Sequence, residues 1–195
     1  MLTPEGLQQR SRLLQAIRSF FYERSYIEVD TPLRLPVFIP ESNITPFASE
    51  GCFLQTSPEQ CMKRLLAHGC ERIFQICHCF RKEEQGRLHQ SEFTMLEWYQ
   101  KGWNYHDLMQ QCEELIGAVA ASLSDLPGVV NQGHEIYHQG NVIELTPPWE
   151  RITVATAFRR HARVDVSEAL DSGCFDEVLV TAVEPHLGLN RPTFL

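Results

Sequence analysis

Two apolar stretches joined by a charged loop constrain this chain more than anything else in it: residues 74–99 read FQICHCFRKEEQGRLHQSEFTMLEWY. Strand alternation puts Gln75, Cys77, Cys79, Arg81 and Glu83 on one face of the first stretch, and Phe74, Ile76, His78 and Phe80 on the other. The second, entered at Phe93, sends Phe93, Met95, Glu97 and Tyr99 one way and Thr94, Leu96 and Trp98 the other. An antiparallel pair of this kind displays an arginine, two glutamates, an aromatic ring and a phenol. Arginine's planar fork matches phosphate oxygens, a glutamate accepts from an exocyclic amine, and a phenylalanine ring offers a base something to stack on. A carboxylate between Met95 and Tyr99 is costly unless a cation answers it. The expectation is a pocket for a nucleotide and an amine. The plainer alternative is a solvated hairpin with Glu97 paired to a nearby lysine.

The flanking sequence supplies the frame. Thr3 and Pro4 predict the start of a long amphipathic helix with Leu7, Leu14, Ile17 and Phe21 on one stripe, followed by a short strand from Ile27 to Val29 that stops at Thr31-Pro32. A hairpin is expected where Phe47-Ala48 and Phe53 to Thr56 flank Ser49-Glu50-Gly51. Ser57, Pro58 and Gln60 read as a capping box opening a helix to Gly69, with Glu59 placed to pair with Lys63 one turn on. Asn104 caps a further helix whose stripe of Leu108, Met109, Cys112, Leu115, Ile116, Val119 and Leu123 predicts a core face. Beyond it come a hairpin from Ile136 to Leu145 around Gly140-Asn141, a helix near Thr153 to His161 and another from Phe175 to Val183. Arg191 to Leu195 reads as the approach to another strand.

Composition narrows the function classes. At 195 residues and 43% hydrophobic, the chain is long enough for one domain with a real core, and no run of apolar residues reaches membrane-spanning length. The first residues lack the apolar segment of a secretory signal, so a cytoplasmic location is expected. A net charge of -8 argues against broad affinity for a phosphate backbone. Seven cysteines without a C-x-x-C pair indicate neither a disulfide framework nor a zinc site, and alternation turns His78 away from Cys77 and Cys79, so no metal site is expected.

The segment FRKEEQGRLHQSEF, residues 80–93, resembles motif 2 of the class II aminoacyl-tRNA synthetases. Within that family Ser57-Pro58-Glu59 and Leu96-Glu97-Trp98-Tyr99 resemble the lysine-specific branch, where the aspartate and asparagine branches read differently. The family's His-Asn-Pro is replaced here by His89-Gln90-Ser91. The resemblance implies an α+β fold, a class II antiparallel sheet flanked by helices, with motif 1 at about 7–33, motif 2 at about 73–100 and an insertion-like segment at about 125–190. It implies that Arg81 is catalytic at the α-phosphate of ATP, Glu83 meets the adenine amino group, Phe93 stacks on adenine, and Lys82, His89 and Gln90 lie near the nucleotide. Ser57, Pro58, Glu59, Glu97 and Tyr99 would bind lysine, Mg²⁺ would accompany ATP, and motif 1 would build a homodimer.

Residues 1–195 would form only part of a catalytic domain, incomplete at the C-terminus because the family continues for roughly another hundred residues that carry motif 3, and would be inactive alone. With its motif 1 helix close to Met1, and with Met62 to Leu66 and Phe93 to Tyr99, the chain is most similar to the short branch that attaches lysine or β-lysine to elongation factor P. Two alternatives stay open, a fragment of an enzyme charging tRNA with lysine and a non-catalytic synthetase-like module.

Overall fold

The computed structural model describes residues 3–195, so Met1 and Leu2 of the expected domain lie outside the described residues. In chain order the elements are α1 (Pro4–Glu23), β1 (Ile27–Glu28), β2 (Arg34–Leu35), β3 (Ala48–Ser49), β4 (Cys52–Leu54), α2 (Glu59–Ala67), β5 (Arg72–Phe80) and β6 (Glu92–Gln100). They continue with α3 (Tyr105–Ser122), β7 (Val129–Val130), β8 (Glu135–His138), β9 (Asn141–Glu144), β10 (Glu150–Arg151), α4 (Val154–Ala157), α5 (Val166–Asp171), α6 (Phe175–Val178) and β11 (Thr193–Phe194). Two compact units result, Phe21–Trp103 and a second that joins the residues up to Phe20 with Asn104–Leu195.

The first unit is organised by β5 and β6, which pair antiparallel through nine consecutive residues from Arg72↔Gln100 to Phe80↔Glu92. Their even-numbered face carries Phe74 opposite Trp98, and Phe21 packs there: its ring stacks on Phe74 at 4.7 Å, meets Tyr26 edge-on at 5.0 Å and touches Trp98 at 5.6 Å. This aromatic cluster packs on the even-numbered face near the start of β5, while Ile73, Gln75, Cys77 and Cys79 are buried on the odd-numbered face that also carries Phe93, Glu97 and Tyr99. The sheet is mixed rather than purely antiparallel, because β1 adds to β5 in parallel, Ile27↔Ile73. A separate sheet orders β2-β4-β3; its β3–β4 turn puts Glu50 and Gly51 at φ 45° and 77°, the primed turn that a two-residue hairpin needs and glycine favours.

In the second unit α3 is capped as read: Asn104 accepts from His106 and Asp107 while Asp107 reaches back to the Asn104 N–H. Its inward face differs from the expected stripe. Gln111, Glu113, Leu115, Val119 and Ala120 are buried, whereas Leu108 and Ile116 stay 42% exposed. Buried Glu113 explains the rotation, since its Oε1 accepts from the Trp149 backbone N–H at 3.0 Å and from Arg151 at 3.3 Å, turning that edge of the helix inward. Ala120, Leu145 and Trp149 form a small core with Val129, Ile136 and Ile143 around it. Gly133 lets the chain pass so close to α3 that a Cβ there would lie 2.4 Å from the Ala121 nitrogen.

The β8–β9 turn falls on Gln139-Gly140, one residue before the expected position. The two helices expected downstream are each short α-turns running into π-type turns, Phe158–Ala162 and Leu179–Val183, and α5 lies between them, capped by Asp165. They surround a core of Ile152, Ala157, Phe158, Ala169 and Val183. The final strand β11 pairs in parallel with β10. The apolar stripe of α1 is covered only toward its end: Phe20 and Phe21 are buried, and Leu7 is 56% exposed.

Candidate active site

Backbone hydrogen bonds gather the site around the odd-numbered face of the β5–β6 hairpin. Where β4 ends, the Gln55 N–H donates to Leu33 O at 2.8 Å, and the Phe80 N–H donates to Gln55 O at 2.9 Å. The segment from Thr56 to Pro58 is thereby held beside the end of β5, with Thr56, Ser57 and Pro58 all buried.

At the loop end, Arg81 closes the ladder by donating its N–H to Ser91 O at 2.9 Å. Its side chain donates from Nε to Thr56 O at 3.3 Å and from Nη1 to Glu84 Oε1 at 3.1 Å, and its guanidinium carbon lies 5.2 Å from the centre of the Phe93 ring. Glu84, not Glu83, therefore shares a side with Arg81. Strand alternation stops at Phe80; residues 81–84 turn, with the Glu84 N–H on Arg81 O at 3.4 Å, and the turn leaves Lys82 and Glu83 exposed. Arg81, Glu84, Leu88, His89, Gln90 and Phe93 line a cleft of about 260 Å³. That is below the roughly 300–1,000 Å³ of ligand pockets in general, since the arginine lies over the aromatic ring.

Four residues along β6, Glu97 accepts two hydroxyl hydrogen bonds, from Ser57 Oγ to Oε2 at 2.8 Å and from Tyr99 to Oε1 at 2.6 Å. The expected capping box does not form: α2 has Pro58 at its N-cap without a side-chain cap, and the Ser57 hydroxyl is turned to Glu97 while accepting from the Glu59 N–H at 3.1 Å. Burial and the hydrogen bond to Glu97 push the Tyr99 phenol well above its ordinary pKa, so it remains a donor. Glu59 pairs with Lys63 as the spacing predicts, and that hydrogen bond raises the lysine's pKa. Glu59 and Lys63 border a second cleft of about 370 Å³ walled by Ile39, Pro40 and Ala67.

Hence one side of the hairpin carries an arginine over an aromatic ring at one end and a hydroxyl-braced carboxylate at the other. The family profile of class II tRNA synthetases (D, K and N) matches residues 3–187. The chain belongs to this family. Among relatives of this class II synthetase chain, elongation factor P–(R)-β-lysine ligase of Salmonella gallinarum is 34% identical over 97% of the chain and 61% of its own length. The enzyme of the same name from Enterobacter sp. (strain 638) matches equally, and that of Vibrio atlanticus is 44% identical over 62% of the chain and 40% of its own length. The chain thus spans about 61% of the length of the first two relatives.

For a class II synthetase chain, the hairpin places Arg81, His89, Gln90 and Phe93 around one cleft and Ser57, Glu97 and Tyr99 in one hydrogen-bonded group, with Glu59 at the start of α2. Lys82 and Glu83 are brought to neither group. Sequence reasoning missed Glu84, for which the Glu83-Glu84 doublet after the last strand residue was the available signal. Among the described residues no helix is long and apolar enough to cross a membrane.

Proposed function

We propose that the protein to which this chain belongs activates lysine or β-lysine with ATP and passes the lysyl group to a lysine side chain of elongation factor P. One observation carries the reading: Ser57 and Tyr99 fix both oxygens of Glu97 as neutral donors, so the carboxylate is oriented but its charge is not neutralised. A substrate ammonium completes it. The relatives' printed name supports β-lysine as amino acid and elongation factor P as acceptor.

In this reading the amino acid carboxylate attacks the α-phosphate in line and pyrophosphate leaves. As ATP binds, before that attack, Arg81 swings from Glu84 toward the phosphate, where it stabilises the charge that develops, while Phe93, freed of the guanidinium, receives adenine. His89 and Gln90 line the nucleotide cleft, Lys82 supplies a nearby positive charge, and Glu83 accepts from the adenine amine once the loop closes. Mg²⁺ is commonly held through substrate phosphates and one or two carboxylates, and among the described residues no three acidic, histidine or cysteine side chains converge on a site of their own. The acceptor amine finally attacks the acyl carbon and AMP departs. A cytoplasmic homodimer built through α1 and β1 completes the proposal, and sedimentation of the longer protein tests that part.

A second reading, transfer to tRNA, draws on the family's description as tRNA synthetases. The deciding experiment uses the longer protein. Pyrophosphate exchange should require lysine or β-lysine and ignore aspartate and asparagine, and labelled amino acid should reach elongation factor P. Label on tRNA instead would select the second reading, and exchange driven by an acidic amino acid would overturn both.

A further inference from the structure

Between the two ends of the site, the same strand face carries three sulfurs. Cys77 Sγ lies 4.0 Å from Cys79 Sγ, and Cys79 Sγ lies 3.9 Å from Met95 Sδ; Met95 is the cross-strand partner of Cys77. Two sulfurs about 4 Å apart can share an ion held about 2.3 Å from each at an angle near 120°, which is an ordinary metal–sulfur bond length. Cys79 is fully buried, Cys77 is 9% exposed and Met95 is half-buried. A pair of thiols with a thioether suits soft monovalent ions and not Mg²⁺ or Ca²⁺.

A second observation points the same way. Gln75, 1% exposed and one strand step before Cys77, has an Nε2 with no hydrogen-bond partner at ordinary distance. Gln55 Nε2 donates to Cys77 Sγ at 3.3 Å. A buried amide donor left unanswered is costly, and a sulfur carrying negative charge answers it.

We propose that Cys77, Cys79 and Met95 form a trigonal site for Cu(I) in the floor of the cleft face. On binding, the two thiols release their protons to solvent, two thiolate–copper bonds form and the Met95 thioether donates a lone pair. The metal stays Cu(I) throughout. Two thiolates and one cuprous ion leave a single negative charge on a face that also carries Glu97, with the Gln55 amide and Arg81 as the groups of opposite polarity beside it. His78 takes no part, because it belongs to the opposite face.

The test is anaerobic titration of the reduced 195-residue chain with Cu(I) against a coloured Cu(I) chelator, with X-ray absorption on the loaded protein. The expected result is one ion retained against the chelator with three sulfur neighbours near 2.3 Å. Cys77→Ser and Cys79→Ser should each lose that ion, and Cys112→Ser should keep it. Met95→Leu should weaken retention about tenfold and reduce the sulfur count from three to two, which decides the matter even where a serine variant fails to fold. Retention unchanged in folded Cys77→Ser/Cys79→Ser protein, or a coordination shell indifferent to Met95→Leu, would overturn the proposal.

Discussion

Tyr99 donates its phenolic hydrogen to Glu97 from two residues away on the same strand face, at 2.6 Å. The pairing has a pH signature. An unfolded tyrosine ionises near pH 10, whereas burial and then Glu97 hold the Tyr99 proton well above that. Its contribution to stability is therefore complete below about pH 10 and declines as the pH rises toward the folded value. Denaturant unfolding at a series of alkaline pH values should show this loss, and Tyr99→Phe should flatten it; an identical alkaline slope in the variant would contradict the burial argument.

Removing the charge of Glu97 should weaken the amine end alone. Glu97→Gln keeps acceptor capacity for one hydroxyl but not the attraction for an ammonium, so lysine affinity of the longer protein should fall about 10- to 100-fold. ATP affinity, measured separately by calorimetry, should change little. Equal losses for both ligands would mean that Glu97 supports the fold rather than the substrate.

Arg81 is expected to matter in the step rather than in folding. Arg81→Ala should lower lysine-dependent pyrophosphate exchange by about 100-fold or more, and Arg81→Lys should recover little because a point charge does not reproduce the planar fork. Glu84→Gln should leave exchange largely intact and tighten nucleotide binding, since it releases the guanidinium from its resting partner. Near-normal exchange by folded Arg81→Ala protein would exclude the role.

Gly133 offers a test far from the chemistry. A methyl group there meets the α3 backbone at Ala121 and must also adopt φ near +92°. Gly133→Ala should cost about 2 kcal/mol or more in unfolding free energy. A loss of a few tenths would show that the chain relaxes away from the helix.

Where regular alternation ran unbroken, the sequence was a sufficient guide. The face shared by Cys77, Cys79, Phe93, Met95, Glu97 and Tyr99 follows from period two and is present in the register. The expectation that Glu83 shares a side with Arg81 failed because alternation holds only while the ladder lasts, and the turn after Phe80 puts Glu84 there instead. The capping box at Ser57 failed differently: a hydroxyl beside a helix start can accept from a backbone N–H and donate elsewhere, and the local pattern S-P-E-Q does not reveal that a strand forty residues later brings the acceptor. On α3 the hydrophobic stripe misjudged the inward face because buried Glu113, held by the Trp149 backbone N–H and by an exposed arginine, is invisible to periodicity and set the rotation. The family itself was legible from residues 80–93, and the profile match over residues 3–187 bears it out.

The unbroken register of β5 and β6 also acts as a ruler. Phe93 and Glu97 are four residues apart on one strand, about 13 Å at about 3.3 Å per residue. That span belongs to the covalent backbone, and no rotamer change or loop movement alters it. On the proposed reading such a site would select by length as well as by charge: an amino acid too short to reach from Glu97 back to the phosphate should bind and yet not react. Inserting one residue between the two positions would not lengthen the ruler, because it would turn everything beyond it to the opposite face.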